Sequence, residues 1–570
     1  MKEELNLKFE QYPLNVPTEK RTLNKLNSLI EELEECGSFL TAKNAIRHWN
    51  KYMTELSTDI GVIQVRYSLD TRNPVYKRAQ DRLDEISPLF GAYSSKFEKI
   101  LVKAKYRKDI EKYFGKYLLK MYEADLKCFD EKIIPELIEE NKLSSKYDEI
   151  MGGAQIEFRG EIYNLSQMGK FLSDKDHETR KEAAIAADKW LGEHEQEIAD
   201  IYAQLVQLRD KMAKKLGFKN FVELGYLKLG RTDYDAKMVA GYRKQIFEEV
   251  VPVAQKLYKK QMKALGIKNP QYYDYNLKFA NGNPTPKGGT KELVAAAKKM
   301  YEHMSPESDE FINFMINHNL MDLEARAGKA PGGYQTFFPL YKAPFIFANF
   351  NGTAGDVNVL THEGGHAFQA YLSRNIKVPE YQHPTLESCE IHSMSMEFFA
   401  WPYMKDFFGE DADKYRYYHL ADAIEFLPYG ITIDEFQHWV YENPNASHEE
   451  RCAKYLEIEQ RNLPHKKYED CPTLAKGTWW MRQGHVFGSP FYYIDYTLAQ
   501  VVAFQFLAED LKNHEKAWKK YVKLCKLGGQ LPFTGLLEKV HLRNPFEDGN
   551  VAKNIHPLLK VLKGFDVDKF

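Results

Sequence analysis

The chain has 570 residues, of which 44% are hydrophobic and 28% are charged. This composition is typical of a soluble folded protein, and the length calls for two to four domains or one large helical assembly. The 79 basic and 81 acidic residues leave a net charge of −2, so nothing indicates nucleic acid or an anionic membrane as a partner.

The first residues of the chain and its cysteines indicate the cellular compartment. The sequence MKEELNLKFEQYPLN is charged and has no apolar core, which is not typical of a signal peptide. The sequence contains no run of 18 or more apolar residues, so it predicts no membrane-spanning helix. The six cysteines are scattered, and none forms a CxxC pair. We therefore expect a cytoplasmic protein with reduced thiols.

Most of the chain has apolar residues at the three- and four-residue spacing of amphipathic helices. This periodicity predicts helices over 78–103, 187–216, 235–266, 290–318, 496–527 and 551–563. A polar stretch that ends near residue 185 gives a working boundary between an N-terminal helical region, 1–185, and a second region, 186–570.

Two segments depart from the helical period. Residues 269–289 contain three prolines and three glycines, which predicts a long surface loop. The segment 332–353 is rich in Tyr, Phe, Thr and Ile and is interrupted by Gly, Pro and Asn. It predicts two short strands, Tyr334–Phe338 and Phe345–Phe350, joined by a turn.

The segment VNVLTHEGGHAFQAYL, residues 357–372, contains an HExxH motif. On a helix, His362 and His366 lie one turn apart on one face, so both rings can bind one metal ion. Glu363 lies further round and can take a proton from a water held at that ion. The flanking residues are apolar, which favours a buried helix over a solvated one, and buried histidines need partners.

A catalytic zinc ion takes three protein ligands, so a third ligand is required. The metzincin pattern is excluded, because Gln369 and Leu372 stand where it needs Gly and His. The segment PTLESCEIHSMSMEFFAW, 384–401, offers Glu387, Glu390 and Glu397 as downstream candidates. Glu390 and Glu397 share one helix face, with Ser393 and Met394 between them. His392 lies on another side of that helix, and we interpret it as a supporting or surface residue.

Together, HEGGH and the sequence EIHSMSME that begins 24 residues after its second histidine resemble the thimet oligopeptidase and oligoendopeptidase F family of zinc peptidases. The similarity is greatest to the smaller, oligoendopeptidase F-like bacterial branch and extends over most of residues 200–570. It implies that Glu390 is the third zinc ligand, that Glu397 supports the site and that Glu387 has no role in it. The strand segment 332–353 is similar to one that forms an edge along the active-site cleft in that branch.

The same resemblance extends to RQGHVFGSPFYYIDYTLAQ, residues 482–500. In the family a histidine, followed by several tyrosines, stabilises the tetrahedral intermediate, and His485 stands at the histidine position. Ser489 and Pro490 predict a helix start. Tyr492 and Tyr496 are four residues apart on one face, so they are the preferred pair.

The resemblance implies a mainly α protein, a large helical zincin-type peptidase with a small β-sheet beside the active-site helix. Helical lobes would enclose a deep substrate channel, and the region 186–570 would be the catalytic zinc-peptidase region. The predicted function is a zinc-dependent endopeptidase of short oligopeptides, with one Zn²⁺ ion held by His362, His366 and Glu390. Glu363 would be the general base, and His485 with Tyr492 and Tyr496 would stabilise the oxyanion. Strand 345–350 would be an edge strand that pairs with the substrate backbone, with 332–338 as a second candidate.

Two alternatives stay open at this point. A zinc carboxypeptidase of related helical fold would use the same ligands but release single C-terminal residues. A non-catalytic helical peptide-binding or scaffold protein would keep zinc for structure, although structural sites usually have four protein ligands with Cys prominent.

Glycine is disfavoured in the interior of a helix, yet HEGGH contains two adjacent glycines. Each costs roughly 1 kcal/mol relative to alanine, so something in the fold must offset that cost. We predict a close approach, in which the helix of Glu390 or a strand packs directly on the backbone at Gly364 and Gly365.

Overall fold

The computed structural model of the protein describes residues 7–326, 328–330 and 332–570. Helices dominate it, and two small sheets interrupt them, so the predicted mainly α fold is confirmed. The first helices are α1 (Glu19–Glu34), α2 (Phe39–Leu69), α3 (Pro74–Val102), α4 (Arg107–Phe114), α5 (Lys116–Cys128), α6 (Ile134–Gly152), α7 (Leu165–Leu172), α8 (His177–Leu216), α9 (Phe221–Lys228), α10 (Ala236–Glu249), α11 (Val251–Ala264), α12 (Thr290–Met304) and α13 (Pro306–Asn317). The remaining helices are α14 (Ala354–Ser373), α15 (Leu386–Phe399), α16 (Met404–Phe408), α17 (Ala412–Glu442), α18 (His448–Asn462), α19 (Pro472–Ala475), α20 (Gly484–Gly488), α21 (Tyr493–Asp510), α22 (His514–Leu527), α23 (Phe533–Lys539) and α24 (Asn550–Lys563).

The helices α1 to α5 pack around an apolar core of their own, separate from the main core of the chain. Trp49 of α2 stacks on Phe97 of α3 with ring centroids 4.4 Å apart. Tyr381, from the segment between α14 and α15, also belongs to this core. Its hydroxyl accepts a hydrogen bond of 2.8 Å from the backbone N–H of Leu118. The segment that precedes α15 is thereby attached to the N-terminal helices.

The helix α8 connects the two predicted regions. Its Asp176 N-cap accepts a hydrogen bond from the backbone N–H of Thr179, and Gly217 ends it in the left-handed conformation. Position 185 lies inside this continuous helix. The N-terminal and C-terminal regions are therefore joined by a helix at the predicted boundary, and the division at 185 stays a prediction.

The larger sheet contains β3 (Met321–Glu324), β4 (Tyr334–Phe338) and β5 (Ala343–Phe350). Their order is β3-β5-β4, with β3 parallel and β4 antiparallel to β5. The two strands predicted for this segment are present, whereas β3 was not predicted because only four residues form it. A second sheet is the hairpin of β1 (Ile156–Phe158) and β2 (Glu161–Tyr163).

The strand order corrects one expectation. Strand 345–350 belongs to β5, which has a neighbour on each side and is the central strand rather than an edge. The second candidate, 332–338, coincides with β4, whose outer edge has no strand partner among the residues described. The prediction failed for β5 because β3, which was not predicted, pairs with the edge of β5 opposite β4.

Three of the predicted helices are in fact pairs of helices. The 235–266 helix divides between α10 and α11 at Val250, two residues before Pro252. The 290–318 helix divides at Ser305, which caps α13 ahead of Pro306. The 496–527 helix divides between α21 and α22, where Asn513 caps the second of them. Apolar periodicity continues through each break, so the period alone did not reveal it.

The segment 269–289 is less exposed than the sequence predicted. Tyr273 and Asp274 are buried in its first half, which forms a short 3₁₀ turn. The Asp274 carboxylate accepts a hydrogen bond of 2.7 Å from buried Arg180 of α8. This ion pair holds the segment against the core, and no local feature of the sequence indicates it.

Candidate active site

The helix α14 carries the HExxH residues. In its first turn, the buried carboxylate of Asp356 accepts hydrogen bonds from the backbone N–H groups of Asn351 and Gly352, at 2.9 and 2.7 Å. These bonds fix the turn that leads from β5 into the helix. The rings of His362 and His366 then lie on one face, with their centroids 5.0 Å apart.

The helix α15 brings Glu390 to the same point. It packs between α14 and α21, so the three helices form one layer of the main core. One carboxylate oxygen of Glu390, Oε2, lies 3.2 Å from Nε2 of His362 and 3.5 Å from Nε2 of His366. The two histidines hold the pKa of Glu390 well below its usual range, although burial raises it.

These three side chains form the one group of at least three potential metal ligands found among the residues described. Their donor atoms all lie within 4.8 Å of one another. Two ligands bonded at about 2.1 Å to one tetrahedral ion are about 3.4 Å apart, which agrees with both distances to Glu390. Two imidazoles and one carboxylate are also the donor set of many catalytic zinc sites. The residues present therefore fit a zinc ion.

A chain of hydrogen bonds orients His362. Its Nδ1 atom donates to Oε1 of Glu397 at 2.7 Å, which leaves Nε2 free to bind a metal. The other oxygen of Glu397 accepts a 2.7 Å bond from Nε2 of His419, whose Nδ1 accepts from the indole of Trp401 at 2.9 Å. Although burial raises the pKa of Glu397, its two histidine partners lower it to about 2, so it stays ionised. His419 and Trp401 were not predicted, because nothing in the sequence near α17 indicates this contact.

Glu363 is buried beside the group of three ligands. Burial raises the pKa of its carboxyl, and the nearby histidines oppose that effect. A raised pKa favours proton uptake near neutral pH, as a general base requires.

Tyr492 contacts the predicted third ligand directly. Its hydroxyl donates a 2.6 Å hydrogen bond to Oε1 of Glu390, the oxygen that does not face the two histidines. The predicted helix start at Ser489 and Pro490 is wrong, because α21 begins at Tyr493 with Tyr492 as its N-cap. Phe491 has a positive φ of 67°, so the chain reverses there before the helix begins.

The other predicted tyrosine, Tyr496, contacts His485 instead. Its hydroxyl lies 3.2 Å from Nε2 of His485, while Gln483 donates to Nδ1 of the same ring at 2.7 Å. The His485 proton therefore lies on Nε2 and points at Tyr496, which leaves the tyrosine O–H free to donate to a substrate. Burial lowers the pKa of His485, which favours the neutral ring. Tyr493 packs against Tyr429 with ring centroids 5.6 Å apart.

Both glycines are closely approached, but the predicted neighbour, the helix of Glu390, is found at Gly365 only. A Cβ on Gly365 would lie 2.6 Å from the carbonyl oxygen of His392 and 2.7 Å from Cα of Ser393, so α15 packs on bare backbone. A Cβ on Gly364 would collide with the hydroxyl of Tyr301 from α12, which is a side chain rather than a helix backbone. The approach at Gly365 is what lets α15 bring Glu390 to the two histidines.

Two other residues of α15 are placed away from the ligands. His392 is fully buried, so it is not a surface residue, and burial lowers its pKa to about 3. Glu387 is also fully buried and faces Asp495 of α21 and Arg231. Burial raises the pKa of Glu387 to about 8, and the Asp495 carboxylate adds to that effect.

Arg231 connects this buried charge cluster to the start of α21. Its guanidinium donates to Oδ1 of Asp495 at 2.5 Å and to the carbonyl of Phe491 at 2.7 Å. Both contacts flank Tyr492, so Arg231 holds the chain reversal that aims the Tyr492 hydroxyl at Glu390. Nothing in the sequence indicates this role, because Arg231 is more than 250 residues away from Phe491.

A cavity of about 970 Å³ leads towards Tyr492. It lies between α3, α6 and α9 on one side and residues 488–492 on the other. Ile138 of α6 and Leu386 of α15 are both partly exposed to solvent and line it. Of the site residues described above, only Tyr492 lines this cavity, and its hydroxyl connects the cavity wall to Glu390.

A mainly helical fold in which the HExxH histidines and a downstream glutamate converge on one point is typical of a metallopeptidase. The sequence matches the profile described as Peptidase family M3 over residues 170–554 and the Peptidase M3 N-terminal domain over residues 9–129. The chain belongs to peptidase family M3. It is a metallo-oligopeptidase, an endopeptidase that acts on oligopeptides.

Individual relatives agree with this placement. The chain is 24% identical over 554 residues to an oligoendopeptidase F homolog of Borreliella burgdorferi, covering 92% of this chain and 86% of the relative. An X-ray structure assigned to an oligoendopeptidase F is 44% identical with a TM-score of 0.96, covering 99% of this chain and 100% of that one. PZ peptidase A, solved with an inhibitor, is 45% identical with a TM-score of 0.95, covering 98% of this chain and 100% of that one. The predicted family and the predicted endopeptidase function are confirmed.

None of the helices in the described residues combines the length and the apolar character needed for a bilayer crossing.

Proposed function

We propose that the metal of this peptidase is a single zinc ion held by His362, His366 and Glu390. The observation that carries the proposal is the convergence of their three donor atoms, at distances that fit tetrahedral ligands. Zinc bound there supplies Lewis-acid chemistry, because it polarises a peptide carbonyl and lowers the pKa of a water.

The protonation steps belong to Glu363. Its carboxylate takes the proton of the attacking water and passes it to the nitrogen of the leaving amine, which breaks the peptide bond. Its buried position supports this role, because burial raises its pKa and therefore its proton affinity. Glu397 keeps the Nδ1 proton of His362 in place through both steps, since its own pKa is about 2.

Tyr496 and His485 stabilise the negative charge that develops on the carbonyl oxygen. The imidazole donates to the tyrosine oxygen, so the Tyr496 proton is directed to a further acceptor. Tyr492 has a different role, because its hydroxyl already donates its proton to the hydrogen bond with Glu390. It orients the third ligand.

The substrate backbone pairs with the outer edge of β4. Main-chain pairing of this kind binds a peptide with little dependence on its side chains. The strand order supports β4, because the neighbouring β5 has both edges occupied.

A single experiment tests the metal and the base together. Peptides of five to forty residues are incubated with the protein, with and without a chelator, and the products are identified by mass spectrometry. Zinc content is measured in the wild type and in Glu363→Gln. We expect internal cuts that stop on chelation, and a variant that keeps its zinc while turnover falls at least about a thousandfold. Full activity in Glu363→Gln, or release of single C-terminal residues, would contradict the proposal.

We also propose a cytoplasmic location. It is supported by the six cysteines, which are all free in the structure, as is typical of a reducing compartment. Subcellular fractionation of the source cells tests it, and recovery of the protein outside the cytoplasm would refute it.

A further inference from the structure

Two cations meet at one indole ring near His485. The ammonium of Lys466 lies 3.7 Å from the centroid of the Trp479 ring, and the guanidinium of Arg482 lies 4.8 Å from it. Both side chains are half-buried. We call Lys466 and Arg482 the cationic pair.

The charges of the cationic pair are not balanced. Glu459 is the carboxylate nearest to Lys466, at 3.6 Å, and it also accepts a 2.8 Å hydrogen bond from Tyr468. Arg482 has no side-chain hydrogen bond and no ion pair with any residue that the structure describes. One positive charge and the donors of a guanidinium are therefore available to a ligand.

Most of the Lys466 side chain is covered by protein, but part of it stays accessible. Its side chain is 14% exposed, so solvent reaches it. Burial nevertheless lowers its pKa to about 8, against the effect of Glu459, and Arg482 lowers it further.

A continuous series of contacts connects the cationic pair to the catalytic residues. The indole of Trp479 donates to the hydroxyl of Tyr429 at 3.3 Å, and this hydroxyl donates to Oε1 of Gln483 at 2.9 Å. Gln483 in turn donates to His485, which contacts Tyr496. The cationic pair therefore lies on the same side of the site as His485, a few side chains further along.

We propose that the cationic pair binds a carboxylate of the peptide substrate, and that this is the C-terminal carboxylate. The planar fork of Arg482 fits a carboxylate through two parallel hydrogen bonds, and Lys466 adds a second positive charge at the same indole ring. Partial burial of both cations strengthens such a contact, because fewer water molecules compete with it. A fixed anchor for the chain end would place cuts at a constant distance from the C-terminus and would favour short peptides. The inference rests on the proposed function, since it requires that the peptide passes His485.

The test compares one peptide as the free acid and as the C-terminal amide. For the wild type we expect kcat/KM to be about ten- to a hundredfold higher for the acid, the range of a charged hydrogen bond. In Arg482→Met and in Lys466→Met the preference should shrink towards one, mainly through KM. The matched control is Lys467→Met, because Lys467 is exposed, adjacent in sequence and bonded to the surface residue Asn269. This control should keep the full preference.

A third peptide, with an internal Glu replaced by Gln, identifies the source of the carboxylate. If the variants lose discrimination between Glu and Gln but not between acid and amide, the cationic pair binds an acidic side chain. If the wild type cleaves all peptides equally well, the proposal is wrong, and this result needs no variant that could fail to fold. Absence of metal-dependent cleavage of any peptide would instead refute the proposed function itself.

Discussion

The carbonyl oxygen of His392 lies 2.6 Å from the position that a Cβ on Gly365 would occupy. Backbone atoms of α15 stand against the bare backbone of α14 at this point, one residue before the second histidine of the motif. The glycine therefore sets the distance between the helix that carries His362 and His366 and the helix that carries Glu390.

The two glycines should respond differently to alanine. In Gly365→Ala the new methyl group meets backbone of α15, which cannot rotate away, so Glu390 moves from the histidines. We expect a loss of about 1–3 kcal/mol in unfolding free energy, as for an overpacked core, and a loss of bound zinc. In Gly364→Ala the obstacle is the hydroxyl end of Tyr301. The double variant Gly364→Ala with Tyr301→Phe removes that atom and should bind zinc nearly as well as the wild type. Equal zinc content in Gly365→Ala and the wild type would show that the close approach is not needed.

Tyr492 and Tyr496 should have separable effects. Tyr496→Phe removes the proton directed to the substrate, so kcat should fall by about a hundredfold with zinc affinity unchanged. Tyr492→Phe removes the 2.6 Å bond to Glu390, so zinc affinity should fall. Measuring kcat and zinc dissociation for both variants checks the assignment. The opposite pattern would exchange the two roles.

Removing the support of His362 should weaken metal binding. In Glu397→Gln the bonds from His362 and His419 lose their anionic acceptor. We expect zinc affinity to fall about ten- to a hundredfold while turnover at saturating zinc falls less. Competition with a chelating dye measures the affinity. Glu387→Gln, which changes a carboxyl of the same helix that does not contact the histidines, is the control and should retain the wild-type affinity.

His465 should make the protein less stable in acid. Burial lowers its pKa to about 2, whereas the unfolded value is about 6.5. Below pH 6.5 the unfolded state therefore binds a proton that the folded state does not bind. The free energy of unfolding falls as the pH drops. The slope from this residue approaches about 1.4 kcal/mol per pH unit between pH 5.5 and 4. Denaturant unfolding at several pH values should give a shallower slope for His465→Asn. The exposed His541, changed to Asn, should leave the slope as it is.

The sequence by itself determined the local parts of this protein. Helical periodicity places His362 and His366 on one face of α14, and places Glu390 and Glu397 one above the other on α15, because a helix repeats every 3.6 residues. The mainly α fold and the strand segment before α14 followed from the same kind of local pattern.

Only the tertiary structure decided which helices meet and what each side chain contacts. The bond from His419 to Glu397, the clamp of Arg231 on Phe491 and the contact of Tyr301 with Gly364 join residues that are 22, 260 and 63 positions apart. It also decided that β5 is central, because β3 pairs with it from an earlier part of the chain. Such contacts depend on how whole helices pack and on which buried groups need partners, and a periodic pattern does not encode either.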